Sequence, residues 1–87
     1  MDLGDPVSYL GLEEGTPVFA SDGRELGRVG RVVYDAEADI FEGLIVEGDG
    51  EPRFADGDDI VLAMHERGVV LAVDSAGARD LPAPGDR

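Results

Sequence analysis

The chain has 87 residues, of which 20 are acidic and 7 are basic, so its formal net charge at pH 7 is −13. This length allows one domain with a modest core, and a hydrophobic fraction of 43% is ordinary for a globular protein. The acidic field opposes direct binding to nucleic-acid phosphates or anionic lipid, and it favours a basic partner.

Composition also excludes several kinds of site. The chain contains no cysteine, so it has no disulfide, no thiolate nucleophile and no thiolate metal ligand. No apolar run approaches the roughly 20 residues that a membrane-spanning helix needs. The N-terminus lacks the basic and apolar regions of a secretory signal. We therefore expect a cytoplasmic protein without membrane insertion.

The first part of the chain, residues 1–14, is predicted to be a partly ordered N-terminal segment. Its apolar stretch is too short for a helix. Two interpretations of Tyr9, Leu10 and Leu12 stay open: they plug one end of the fold, or they begin its first strand.

A β-hairpin is predicted over residues 16–35. An apolar run precedes the turn residues 21–23, and a longer apolar run, residues 26–34, follows them. An Asp-Gly pair between two such runs is typical of a type I′ turn, whose two central residues need positive φ.

The second strand of this hairpin is predicted to carry a β-bulge at Gly30. Leu26 and Val32 have even residue numbers and Val29 has an odd one, so the alternation of apolar residues changes phase within the strand. One extra residue produces such a change, and glycine inside a strand is typical of a bulge. The spacing Gly27-x-x-Gly30 also occurs in loops that clamp phosphate or RNA, but those loops adjoin helices.

Turn-rich breaks separate four further predicted strands, which are residues 40–47, 53–55, 60–64 and 69–73. Residues 44–46 are apolar in succession, which indicates a strand buried on both faces. Ser75 is predicted to cap a helical turn over residues 76–80, and residues 81–87 are predicted to be a tail.

The predicted fold class is all-β: a small, strongly bent antiparallel β-barrel of five or six strands with a short C-terminal helical turn. The barrel domain is predicted over residues 15–74, between the N-terminal segment and a C-terminal part of residues 75–87. The predicted core consists of Val18, Leu26, Val29, Val32, Leu44, Val46, Ile60, Leu62, Leu71 and Val73.

Two acidic clusters were considered as calcium sites. The first consists of Asp35, Glu37 and Asp39. An EF-hand loop requires Gly at its sixth position and Glu at its twelfth, where this chain has Ile40 and Val46, so we interpret the cluster as a solvated turn. The second cluster, residues 56–59, could bind a divalent ion weakly, although Asx-turn chemistry explains it equally well.

His65 is the only histidine. Together with Glu66 it could act as a general base, but no serine, threonine or cysteine nucleophile has a sequence link to it. A metal site would need further ligands. We interpret His65 as a partly exposed residue at a strand end and predict no catalytic, metal-binding or cofactor-binding residues.

Three segments of the sequence carry a recognisable pattern. Residues 15–35 contain a valine strand, an Asp-Gly turn and a Leu-Gly-x-Val strand that ends in Asp; I-F-E-G-L-I-V-E and D-I-V-L-A-M-H-E-R-G-V-V-L follow. In these features the chain resembles the PRC-barrel domain family. The matching positions are Val18, Asp22, Gly23, Leu26, Gly27, Val29, Asp35, Gly43, Leu44, Val46, Ile60, Val69 and Leu71.

This resemblance implies a small β-barrel that serves as an adaptor or docking module and has no family catalytic residues. The family's contexts include the cytoplasmic domain of the photosynthetic reaction-centre H subunit and the C-terminal domain of a ribosome-maturation factor. They also include short stand-alone proteins, and this chain is most similar to those.

An apolar interface is predicted on the face opposite the core, formed by Phe19, Phe41, Ile45 and Val70. We therefore expect a non-enzymatic binding module that contacts a partner protein, or a second copy of itself in a homodimer, without a cofactor and without direct contact to nucleic acid. The alternative is an accessory factor in ribosome or RNA maturation that binds a basic ribosomal protein.

Overall fold

The computed structural model of the protein describes residues 2–85, which form six strands and one short helix. In chain order the elements are β1 (Pro17–Phe19), β2 (Glu25–Asp35), β3 (Ile40–Glu47), β4 (Arg53–Asp56), β5 (Val61–His65), β6 (Gly68–Leu71) and α1 (Ser75–Ala78). No helix in this part of the chain has the length and apolar character that crossing a membrane requires. The protein is therefore mostly β, as predicted.

The sheet is open and mixed, which corrects the prediction of a closed antiparallel barrel. Its strand order is β4-β3-β2-β1-β6-β5, and β1 and β6 run parallel while the other neighbours run antiparallel. Terminal segments occupy the two edges: the Phe54 amide of β4 donates to the Pro82 carbonyl at 2.8 Å, and the Val7 amide donates to the Met64 carbonyl of β5 at 3.0 Å. Because these edge groups already have partners, they are not available to join β4 to β5.

The predicted hairpin joins β1 to β2, but its turn type differs from the prediction. The Gly23 amide donates to the Ala20 carbonyl at 2.9 Å, and only Gly23 in this turn has positive φ, at 87°. A type I turn followed by a left-handed glycine has this pattern. The hairpin therefore uses a three-residue loop with one left-handed residue in place of the predicted type I′ turn.

The β-bulge predicted at Gly30 is confirmed. Val29 pairs with Val46, whereas Arg31 pairs with Ile45, so Gly30 is the extra residue on β2. The phase change in the apolar pattern therefore reflects the backbone, and the Gly-x-x-Gly spacing lies within a strand.

A second bulge, on β3, was not predicted and reverses the face of Phe41. Gly43 pairs with Val33 and Phe41 pairs with Tyr34, which leaves Glu42 as the extra residue. Phe41 packs against the main core as a result, so the prediction that it lies on the opposite face is wrong.

A third bulge, on β5, removes a predicted core residue. Val61 pairs with Leu71 and Ala63 pairs with Val70, so Leu62 is extra. Its side chain is 68% exposed, and the prediction that Leu62 is in the core is wrong. A bulge leaves its extra residue without a cross-strand partner.

The main core lies on one face of the sheet. Its buried residues are Leu12, Val18, Val29, Leu44, Val46, Ala55, Val69, Leu71, Ala78 and Leu81. Five predicted core residues are among them, and four more are half-buried against them: Leu26, Val32, Ile60 and Val73. A second cluster consists of Val33, Ile45 and Phe54. Successive strand residues alternate between faces, so residues 44–46 are buried on both, as predicted.

Both ends of the chain contribute to the core. Leu12 of the N-terminal segment is buried and Tyr9 is half-buried against Tyr34 and Phe41, whereas Leu10 is 68% exposed, so Leu10 does not fit the prediction of a plug. At the other end Leu81 is buried, and its carbonyl accepts a hydrogen bond from the Arg53 guanidinium at 2.8 Å. Ordered structure thus extends past the predicted start of the tail.

The cap of α1 lies one residue before the predicted position. Asp74 is the N-cap, and its Oδ1 accepts a hydrogen bond from the Gly77 amide at 2.7 Å. Ser75, the predicted cap, is the first residue of the helix. Both residue types satisfy the free amides of a first helical turn, which is why the sequence did not separate them.

Gly27 offers a test of the close contact between β2 and β3. A Cβ at Gly27 would lie 2.1 Å from the Glu47 carbonyl oxygen, whereas one at Gly50 would have no atom within 4 Å. We expect Gly27→Ala to lower the free energy of unfolding by about 3 kcal/mol through overpacking, and Gly50→Ala to change it by less than about 0.5 kcal/mol. Urea denaturation measures both; equal losses would contradict the close approach.

Candidate functional site

An aromatic cluster lies beside the β2–β3 turn. Tyr34 of β2 pairs with Phe41 of β3, and Tyr9 packs against both rings. The ring centroids of Tyr9 and Tyr34 are 5.5 Å apart; those of Tyr9 and Phe41 are 5.4 Å apart, with the planes stacked at 10°. Aromatic pairs at such distances attract each other beyond the effect of area burial, so this cluster holds the N-terminal segment against the sheet.

Two exposed aliphatic residues adjoin this cluster in the chain. Leu10 is 68% exposed and Ile40 is 55% exposed, and Tyr34 itself is 46% exposed. We refer to Tyr9, Leu10, Tyr34, Ile40 and Phe41 together as the aromatic end. Exposed apolar surface that includes Tyr and Phe is typical of protein–protein interfaces.

Acidic side chains flank the aromatic end. We refer to the exposed residues Asp35, Glu37, Asp39 and Glu42 as the acidic rim. The Tyr9 hydroxyl donates a hydrogen bond to Asp39 Oδ1, and this bond raises the pKa of Tyr9 above its ordinary value. Tyr9 is therefore neutral at physiological pH and presents its ring between apolar and acidic neighbours.

The two acidic clusters considered as calcium sites contain Asx turns. Asp35 Oδ1 accepts hydrogen bonds from the Glu37 amide at 3.1 Å and the Ala38 amide at 3.3 Å. In the same way Asp56 Oδ1 accepts the Asp58 amide at 3.1 Å. Within the described part of the chain, no group of three or more His, Asp or Glu side chains is placed to hold a metal ion.

His65 joins the end of β5 to the N-terminal segment. It is half-buried, and its Nδ1 donates a hydrogen bond to the Gly4 carbonyl at 3.0 Å. Pro6 forms a β-bridge with His65, and the Glu66 amide donates to the Asp5 carbonyl at 3.0 Å. These contacts give His65 a structural role at a strand end.

The four residues predicted as one interface lie in three places. Phe19 and Val70 are neighbours across β1 and β6, and both are half-buried. Ile45 is buried in the second cluster, and Phe41 belongs to the aromatic end because Glu42 is a bulge. No single surface unites the four residues, and their contact with a partner stays a prediction.

A groove of about 370 Å³ lies where β2 begins, beside α1 and the β3–β4 loop. Its apolar lining consists of Leu26, Val46, Leu71, Ala78 and Leu81. Its charged lining consists of Arg24, Arg53 and Arg79 together with Glu25, Asp49 and Glu51. No sequence pattern predicts this groove, because its arginines come from three separated segments and share no spacing.

Asp22 holds α1 against the hairpin turn at one end of this groove. Its Oδ2 accepts hydrogen bonds from the Ser75 hydroxyl at 2.8 Å and the Ser75 amide at 3.2 Å. These bonds hold the pKa of Asp22 below its ordinary value, and the bond from the Ser75 hydroxyl has the largest effect. The contact joins the segments that carry Arg24 and Arg79.

The lowered pKa of Asp22 predicts a pH-dependent contribution to stability. A carboxyl whose pKa is lower in the folded state stabilises the fold above its unfolded pKa of about 3.9, and this contribution disappears as the pH falls through the folded value. We expect Asp22→Asn to lower the Tm at pH 7. The Tm difference between the variant and the unchanged protein should be much smaller at pH 2, as measured by circular dichroism. Asp49→Asn is the control, and a pH-independent effect of Asp22→Asn would contradict the linkage.

Comparison with known proteins gives one family. The family model described as the PRC-barrel domain matches residues 14–79. This range contains all six strands and α1, together with Arg24, Arg53 and Arg79 of the groove and three of the five residues of the aromatic end, Tyr34, Ile40 and Phe41. No curated protein matches the chain.

Proposed function

Because the chain belongs to the PRC-barrel domain family, we propose that it is a non-enzymatic module that docks another protein through its aromatic end. The observation that carries this proposal is the packing of the Tyr9, Tyr34 and Phe41 rings, whose neighbours in the chain, Leu10 and Ile40, are exposed. A partner that covers these side chains removes apolar surface from water, and each Å² contributes about 25 cal/mol.

The acidic rim defines the partner's chemistry. Four carboxylates flank the aromatic end, and the whole chain carries a net charge of −13. A surface with basic residues around an apolar centre complements this arrangement, and the attraction accelerates encounter at low salt. A second candidate function is that of an accessory factor in ribosome or RNA maturation. For this function the acidic charge favours a basic ribosomal protein as the partner.

A homodimer is the other form of this proposal. Two aromatic ends could cover each other, but their acidic rims would then face each other and repel. Salt screens repulsion between exposed charges, so a homodimer should strengthen with salt whereas a complex with a basic partner should weaken. Sedimentation at low and high salt distinguishes the two forms.

We propose a cytoplasmic location, so docking is tested by affinity capture from cytoplasmic extract with two matched variants. Leu10 and Leu62 are equally exposed at 68%, but only Leu10 belongs to the aromatic end. We expect Leu10→Asp to reduce the captured partner at least about tenfold, because the change removes apolar contact area and places a carboxylate that must lose its water at the apolar centre of the contact. Leu62→Asp should leave capture unchanged. Equal capture by both variants, with sedimentation showing a monomer at every salt concentration, would refute the proposal.

A further inference from the structure

We propose that the groove beside α1 binds the C-terminus of a partner peptide, with the arginines on its carboxylate and the apolar lining around its last side chain. This site is separate from the aromatic end. Its occupant can belong to the same partner or to another one, and its test does not depend on the docking proposal.

The first argument is the concentration of arginine in the groove. The chain has only 7 basic residues against 20 acidic ones, yet Arg24, Arg53 and Arg79 all line this groove. Arg53 uses one guanidinium nitrogen for the Leu81 carbonyl and keeps further donors. Among the described residues, the guanidinium groups of Arg24 and Arg79 have no hydrogen-bond or ion-pair partner. Guanidinium groups bind carboxylates through paired hydrogen bonds.

The second argument is the apolar lining. Leu26 is half-buried and exposes apolar surface to the groove, whereas Leu71, Val46 and Leu81 are core residues at its base. These residues form an apolar wall next to the arginines. The volume of about 370 Å³ lies within the range of roughly 300–1,000 Å³ that is typical of small-ligand sites. It therefore suits one or two residues rather than a folded surface.

The third argument is the acidic part of the lining. Glu25, Asp49 and Glu51 also border the groove, and they repel a ligand with several negative charges, such as nucleic acid or a polyphosphate. Carboxylates accept hydrogen bonds from amides, and a peptide offers amide donors beside its single terminal carboxylate. A peptide C-terminus therefore complements the whole groove: its carboxylate binds the arginines, and its amides donate hydrogen bonds to the acidic side chains.

The experiment titrates four acetylated tetrapeptides, Gly-Ala-Val-X with X as Val, Leu, Ile or Phe, into the ¹⁵N-labelled full chain. Each peptide is compared with its C-terminal amide. We expect the free acids to shift the amide signals of residues 24–26, 48–51, 53 and 75–81, and the C-terminal amides to bind at least about tenfold more weakly. Equal binding of acids and amides, or no shift from any peptide at millimolar concentration, would overturn the proposal.

Arginine variants locate the site. Arg24→Gln and Arg79→Gln should each weaken binding of the free acids about tenfold, and neither change removes a side-chain hydrogen bond or ion pair among the described residues. Arg31→Gln is the matched control, because Arg31 is exposed on β2 and does not line the groove. Identical affinities of all three variants for the free acids would show that the peptides do not bind in this groove, which would overturn the proposal. Octanoate serves as a second probe: if it binds as tightly as the best peptide, the groove takes a free aliphatic acid instead.

Discussion

The close approach of neighbouring strands at two glycines is the constraint on which the sheet depends. At Gly27 a Cβ would meet the Glu47 carbonyl oxygen at 2.1 Å, and at Gly43 it would meet the Ala55 carbonyl oxygen at 2.3 Å. Any larger residue would push β2 from β3, or β3 from β4. Together with the bulge at Gly30, these contacts let a short sheet bend around one core, which is how so small a chain buries its apolar side chains.

The chain ends complete both candidate surfaces. Tyr9, from the N-terminal segment, supplies the ring that stacks on Phe41 in the aromatic end. Leu81, from the C-terminal segment, closes the apolar wall of the groove and fixes Arg53 through its carbonyl. The same two segments hydrogen-bond the β5 and β4 edges. The contacts that protect the sheet from edge-to-edge association therefore also build the surfaces proposed to bind partners.

Charge gives the two surfaces different selectivity. The acidic rim flanks the aromatic end, so this end suits a basic surface, whereas the groove brings together three arginines and three carboxylates. The net charge of −13 by itself would predict only basic partners. With the charges distributed in this way, the two proposed ligands differ chemically: one would contact an exposed face and the other would enter a small recess.

The sequence by itself determined the hairpin, the bulge at Gly30 and most of the core, because turn chemistry and period-two patterning are local properties. It did not determine the bulges at Glu42 and Leu62, which carry no glycine and follow from cross-strand register. The bulge at Glu42 moved Phe41 to the core face, which separates it from the other residues of the predicted interface, and the bulge at Leu62 accompanies the exposure of a predicted core residue. Only the tertiary structure decided that the sheet stays open, since its edges bond to distant segments. It also brought Arg24, Arg53 and Arg79 into one groove, because their proximity depends on how β2, β4 and α1 meet in space.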